Sequence, residues 1–416
     1  MSIIFPFKAI RPKKELVSEV SCPPYDVVTR EEVRKKIQGS PHSFLHVIRS
    51  DGEFDDSVSE YADIVYSRAK DNFNKFIQDG VLFSESKPCF YVYAETHEKH
   101  TQYGLVSCVS VEEYERDMIK KHEKTRAEKE ADRTRHIDKL SINTEPIFLA
   151  YVGNPDIHQE IASITAGKTE YDFCSDDGVR HQFWVVSEDA KIQTLIFHFS
   201  KVPKLYIADG HHRAASSVSV GAERRRKNPK HTGIEEYNFF MAVLFPAQQL
   251  KILPYNRVVK DLNGLSSIQF LEKIKIEFQV ESFPEKFVYT PEKSKNFGMY
   301  LDHKWYKLIA KEVIYKNKDL VAALDVSLLQ DHLLSPILGI QDPRTDKRID
   351  FIGGIHGSEG LMHSVNSGKM KVAFLLHPSS IQSLMEVADQ GRLMPPKSTW
   401  FEPKLRSGLF IHSLED

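Results

Sequence analysis

The sequence predicts an α+β protein with mixed sheets, and three observations carry that expectation. Short apolar runs bounded by turn residues recur along the chain, as at Leu205 to Ala208; two of them, at 90–94 and 103–109, stand close enough to form a hairpin; and amphipathic segments of helical period lie between such runs, the longest over 55–78. The 416 residues are 41% hydrophobic and 27% charged, ordinary globular composition and enough chain for two or three cores. The expected division is an N-terminal α/β segment over 1–110, a core over 111–260 and a C-terminal α/β segment over 261–416.

Composition also narrows the partners. A formal net charge of -2 leaves no basic footprint of a general nucleic-acid binder, so nucleic acid is not an expected partner. No apolar run reaches membrane-spanning length, and Pro6 and Lys8 interrupt the stretch where a signal peptide would be continuous, so no membrane partner is expected. Cys22, Cys89, Cys108 and Cys174 stand apart without C-x-x-C spacing, as expected of reduced thiols in a cytoplasmic protein and not of a zinc or disulfide framework. Nothing in the pattern speaks to oligomeric state.

In chain order, residues 5–10 read as a first strand, and Cys22-Pro-Pro-Tyr-Asp26 as a turn stiffened by two prolines, able to hold Tyr25 and Asp26 at a site. Thr29 and Glu32 have the capping-box spacing and open a helix that ends before Gly39. Residues 44–49 alternate well enough for a strand. The amphipathic helix over 55–78 stops at Gly80, and the 90–109 hairpin follows. Residues 118–133 then read as a solvated helix held by i to i+4 pairs such as Lys124 with Glu128, since between Lys120 and His136 only Ala127 and Ala131 are apolar. Further strands are expected at 146–152, 183–186, 239–245 and 252–259, the last broken by Pro254 and so placed at an edge or bulge. Beyond 260 come a helix at 267–276, strands at 278–283, 297–301, 305–310 and 372–376, and helices at 326–334, 360–365 and 379–390. The glycines at 353, 354, 357 and 360 match neither a Walker loop nor G-x-G-x-x-G. Pro395 to Lys404 is a proline-bounded loop with two lysines, Lys397 among them.

The chemistry concentrates at Leu205-Tyr-Ile-Ala-Asp-Gly-His-His-Arg213. An apolar strand, a turn at Asp209-Gly210 and the first turn of a helix bearing His211, His212 and Arg213 make the geometry that cradles a phosphate: amides and dipole favour an anion, Gly210 permits close approach, and Arg213 can grip two oxygens. Asp209 is expected to cap the helix or to face the site as a base or magnesium ligand. Upstream, Glu123 stands where the apolar Met118-Ile119 gives way to charge and is a candidate general base, with His122 and Arg126 beside it. Asn256 and Arg257 are further residues able to reach a ligand.

His122-Glu-Lys-Thr125, Lys129 with Asp132-Arg133, Pro146-Ile-Phe148, Ala208-Asp-Gly-His-His-Arg213 and Ile252-Leu-Pro254, together with Pro23-Pro-Tyr-Asp26 and Met394-Pro-Pro-Lys397, resemble a bacterial family related to the nucleotide-dependent free-serine kinases of the ParB/sulfiredoxin-like superfamily. The resemblance implies a ParB/sulfiredoxin-like core carrying N-terminal and C-terminal elaborations. It places Glu123 at the kinase's essential acid and Asp209 to Arg213 where the phosphate binds, with ADP or ATP and Mg2+ as cofactors and a small molecule as substrate. Sulfiredoxin carries its reactive cysteine where this chain has His211, which argues against sulfinic-acid repair. The segment between Glu123 and Asp209 is much longer than in the small serine kinase, so phosphate chemistry is better supported than serine as acceptor. Two readings stand at this point: a phosphotransferase acting on a small hydroxyl compound, and a non-catalytic ParB-like nucleotide-binding regulator.

Overall fold

Apolar residues from Phe90 to His97 and from His100 to Ser110 pair as an antiparallel hairpin, Tyr91 opposite Val106 and Tyr93 opposite Gly104, with Glu98 in the left-handed region at the tip. In the computed structural model, which describes residues 2–316 and 318–415, the protein is a mixed α/β structure in two compact units. Met1–Lys121, Thr125–Leu250 and Pro403–Asp416 make the first unit; His122–Lys124 and Lys251–Glu402 make the second.

The hairpin sits within the first unit's nine-stranded mixed sheet. From one edge the strands run Ile119–Lys120, Leu205–Asp209, Ile147–Tyr151, Phe239–Pro246, His100–Ser110, Phe90–His97, Arg180–Val186 and Tyr171–Cys174, with Ile4–Phe5 attached to His100–Ser110. Leu205–Asp209 is parallel to Ile119–Lys120 and antiparallel to Ile147–Tyr151. Val92, Leu105, Leu149, Ile207 and Leu244 are buried against Ile157 and Ile161 of the helix Pro155–Thr165 and Leu195 and Phe199 of the helix Asp189–Phe199. Each such side chain contributes about 1.5–3 kcal/mol of transfer free energy, and together they fix the strand that ends at Asp209.

Four local expectations change. Residues 5–10 form two short strands, Ile4–Phe5 and Ile10–Pro12, in different sheets, because Pro6 has no N–H for a ladder. Residues 44–49 contain the short helix Leu45–Ile48, which brings Phe44, Leu45, Val47 and Ile48 into one core with Phe73 and Phe76. A strand would send half of that run to the opposite face. The long helix begins only at Asp63, as Asp63–Gln78, because the Arg30 guanidinium donates to the carbonyls of Phe54, Asp55 and Val58 and holds them in a loop.

The fourth change concerns the charged stretch. The helix Ala127–Leu140 is not simply solvated: it packs between Asp63–Gln78 and His211–Lys227 and buries Asp132, Arg133, His136, Ile137 and Leu140. Its buried charges are paired. Arg133 Nε donates to Asp132 Oδ2 at 2.9 Å and the Tyr66 hydroxyl donates to Asp132 Oδ1 at 2.8 Å. Lys129 and Arg135 reach across to Tyr61 and Asp63 instead of to neighbours one turn away. Polar residues can therefore occupy a core helix here, because each finds a partner on the adjoining helix or in its own turn.

The second unit holds a six-stranded antiparallel sheet in the order Phe278–Ser282, Lys304–Ala310, Asn296–Leu301, Val372–Leu375, Tyr255–Val259 and Ile349–Gly353. Pro254 splits residues 252–259 as expected, but Tyr255–Val259 is an interior strand and not an edge. Lys251–Leu253 pairs instead with Trp400–Glu402 in a separate ribbon, so the missing proline N–H falls between two ladders. Val258, Ala373 and Leu375 pack under Leu361 of the helix Gly357–Asn366. Among the described residues no helix is long and apolar enough to cross a membrane.

Candidate functional site

The strand Leu205–Asp209 ends beside a register shift between Ile207 and Asp209, and Gly210 then turns the chain at φ 95° into the helix His211–Lys227. That φ lies in the region L side chains avoid, and a Cβ at Gly210 would stand 3.0–3.1 Å from the Arg213 guanidinium. Two local demands therefore require glycine. Asp209 does not cap the helix: Gly210 occupies the N-cap position, and Asp209 Oδ1 accepts from Gly210's own amide at 2.9 Å.

Asp209's other oxygen is taken by Lys404, whose Nζ stands 2.9 Å from Oδ2, with Arg213 Nη2 at 4.0 Å. Burial alone would raise the Asp209 pKa, but Lys404 and Arg213 outweigh it and hold the carboxyl well below the usual carboxylate range. Asp209 is thus ionised and a weak base. A proton-accepting role for it does not suit this environment.

Arg213 is folded under the turn, 6% exposed, with Nη1 donating to Pro146 O at 2.5 Å and its buried Nε without a partner. Burial opposes its charge, but Glu145, Asp26 and Asp209 together raise its pKa above the ordinary arginine value. Glu145 is itself buried, accepting from the Tyr25 amide at 2.9 Å and from the Ser407 hydroxyl at 3.0 Å, and burial pushes its pKa up. Tyr25 lies beneath the Arg133 guanidinium, 4.3 Å from ring centre to Cζ, while Asp26 is exposed. His211 is buried and His212 half-buried. His212 Nε2 accepts from the Arg126 amide at 3.0 Å, so that nitrogen carries no proton and the ring is neutral.

The fold of the first unit therefore gathers Asp209, Gly210, His211, His212, Arg213, the Arg126 backbone, Tyr25 and Asp26 around one strand-to-helix turn. His122, Glu123, Asn256, Arg257 and Lys397 belong to the second unit. There the His122 carbonyl accepts from the Met394 amide at 2.8 Å, Glu123 is half-buried, and Asn256 Oδ1 accepts from the Leu376 amide at 3.1 Å. Glu145 carries no local signal in the sequence, because its burial depends on Tyr25 and Ser407, far away in the chain. Lys404 reads there only as a loop residue, since its 195-residue separation from Asp209 leaves no local pattern.

Asp209 does not suit a magnesium ion as it stands. Both Asp209 oxygens are engaged, and a metal there would face Lys404 and Arg213.

A family profile described as "Protein of unknown function (DUF1015)" matches residues 4–327 of the chain. No curated protein matches it in sequence. Among solved structures it is similar to a free serine kinase in complex with AMP, at 16% identity and a TM-score of 0.36 over 73% of this chain and 92% of that one. It is also similar to a C-terminally truncated SbnI from Staphylococcus aureus, at 11% identity and 0.38 over 74% and 87%. A conserved hypothetical protein from Pyrococcus furiosus is similar at 14% identity and 0.36 over 74% and 95%.

Proposed function

The chain belongs to the DUF1015 family, and we propose that it moves a phosphate from a nucleotide, ADP or ATP, to a small hydroxyl compound, free L-serine by the resemblance of its motifs. The reading includes a ParB/sulfiredoxin-like core around the turn. The observation that carries it is the helix start at His211: Gly210 offers no side chain to cap the first turn, and the Asp209 carboxylate is turned onto Gly210 and Lys404. First-turn amides, the helix dipole and nearby cations are the elements that hold phosphate oxygens. Phosphoryl transfer asks for positioning and charge neutralisation more than for covalent help.

In this reading Glu123 orients or deprotonates the attacking hydroxyl. What supports it is where the chain enters and leaves that segment. Ile119–Lys120 pairs in parallel beside Leu205 and Tyr206, so both strands run toward the same end of the sheet, and Arg126 donates its amide to His212. Glu123 lies between those two anchored points in the chain. Asp209, ionised and locked by Lys404, holds the turn and takes no proton. Magnesium, if it accompanies the nucleotide, supplies charge neutralisation on the phosphates, and no step here depends on it.

The test is a screen of ADP and ATP against hydroxy amino acids for phosphate transfer, followed by Glu123→Gln. The variant keeps size and most hydrogen bonding but loses the charge, so nucleotide binding should persist while turnover falls by roughly 10²-fold or more. Turnover at the parent rate removes Glu123 from the mechanism. Nucleotide binding without transfer to any hydroxyl compound leaves a binding protein in place of an enzyme.

A further inference from the structure

On one face of the second unit's sheet, Tyr255 and Arg257 stand two residues apart on an interior strand, with Phe351 and Phe374 opposite Arg257 on the two neighbouring strands. The guanidinium is 4% exposed and lies 5.3 Å from the centre of the Phe351 ring. It donates to the carbonyls of Tyr255 and Pro396, and among the described residues no carboxylate pairs with it. Burial lowers its pKa to about 9, with Tyr255 opposing the fall. A charge removed from water without a counter-ion costs several kcal/mol, and neutral carbonyls recover only part of that.

A second cation stands at the rim of the same cluster. Lys397 Nζ is 3.1 Å from the Tyr255 hydroxyl and 5.0 Å from the ring centre. Its backbone is held at φ 56°, a left-handed conformation that lysine rarely adopts. Such local strain persists where surrounding structure imposes it, and it gathers at ligand clamps. Pro396, whose carbonyl Arg257 contacts, immediately precedes Lys397, so one short loop both touches the strand-borne Arg257 and places Lys397 at Tyr255.

We propose that Arg257, with Lys397 at its rim, is an anion-binding site that takes the phosphate or carboxylate group of a small molecule. The anion completes the charge that the fold leaves unbalanced, and Arg257 presents planar donors suited to paired oxygens. This site does not depend on phosphate transfer at the Gly210 turn.

The test is equilibrium dialysis of the full chain with labelled inorganic phosphate and, separately, with labelled L-serine. Beyond any phosphate held at the Gly210 turn, one saturable equivalent of at least one probe should bind, weaken more than about tenfold in Arg257→Met, and remain in the Arg213→Ala, Glu145→Gln double variant. Which probe binds separates a phosphate-bearing ligand from a carboxylate-bearing one. If Arg257→Met does not fold, Lys397→Met, an exposed change, should weaken the same equivalent about two- to fivefold. Binding of neither probe, or binding indifferent to both substitutions, overturns the assignment. Loss of all binding in the Arg213→Ala, Glu145→Gln double variant, with Arg257→Met unaffected, would locate the anion at the turn and leave Arg257 a packing residue.

Discussion

Replacing Arg213 with Ala should destabilise the first unit before it tells anything about binding. The guanidinium is almost fully buried, donates to Pro146 O at 2.5 Å and is held charged chiefly by Glu145. Its removal leaves a buried carbonyl without its charged donor, worth about 1.5–3 kcal/mol, and a buried carboxylate short of one cation. Glu145 feels Arg213 through space and not through a direct ion pair, and Arg133 still acts on it, so the stranded charge adds less than the roughly 3–5 kcal/mol of a broken buried pair. With about 2–4 kcal/mol lost in all and roughly 2–4 °C per kcal/mol for a unit of this size, the melting temperature should fall by about 4–16 °C. Circular-dichroism melts measure the loss, and Glu145→Gln in the same chain should recover part of it by removing the stranded charge. A fall below about 1 kcal/mol, or no recovery in the double variant, would refute the claim that Arg213 and Glu145 are electrostatic partners. Phosphate binding measured on the double variant then reports the site without the stability artefact.

Further outcomes follow from the same packing. His136 and His181 are buried, with pKa values lowered by burial to about 4 and about 3, so both rings are neutral in the fold. Their contribution is complete above the ordinary histidine value near 6.5 and is lost as pH falls toward the lowered ones; urea unfolding at pH 5 should show about 2 kcal/mol less stability for each, and His136→Gln should flatten part of that slope. Gly210→Ala should cost about 1–2 kcal/mol through its positive φ and crowd the Arg213 guanidinium, weakening phosphate binding in a titration while Gly233→Ala, a positive-φ glycine with open space around its Cβ position, leaves binding unchanged.

The strand-to-helix turn was legible because its signals are local: an apolar run, a glycine that must adopt positive φ, and a helix that follows. The hairpin and the Thr29 capping box were legible for the same reason. What escaped depended on residues far apart in the chain. The helix Ala127–Leu140 reads as solvated until Tyr66 and Arg133 are seen to partner Asp132. Residues 44–49 alternate like a strand until Phe73 and Phe76 show that one core receives every apolar side chain of the run. Tyr255–Val259 looks like an edge strand because Pro254 precedes it, yet the proline falls between two ladders and leaves the strand free to be flanked on both sides.

The electrostatics of the turn also differ from a count of its basic residues. The sequence places three of them in one first turn, but His212 is neutral because its Nε2 accepts the Arg126 amide, Arg213 is balanced by Glu145 and Asp209, and Lys404 is bound to Asp209. Apart from His211, little uncompensated side-chain charge therefore remains for an anion. What the turn retains is directional: amides at the helix start and the positive end of a 17-residue helix, equivalent to roughly half a charge. A bare phosphate gains chiefly from those amides, whereas a polyphosphate is large enough to compete with Asp209 for Lys404 as well. Lys404, 18% exposed and on a flexible stem, is the cation in the cluster best able to change partners, while Arg213 is pinned by Pro146. In the proposed reading the turn therefore suits a ligand with several phosphate groups better than a single phosphate, because the larger charge can offset the loss of the Asp209–Lys404 pair.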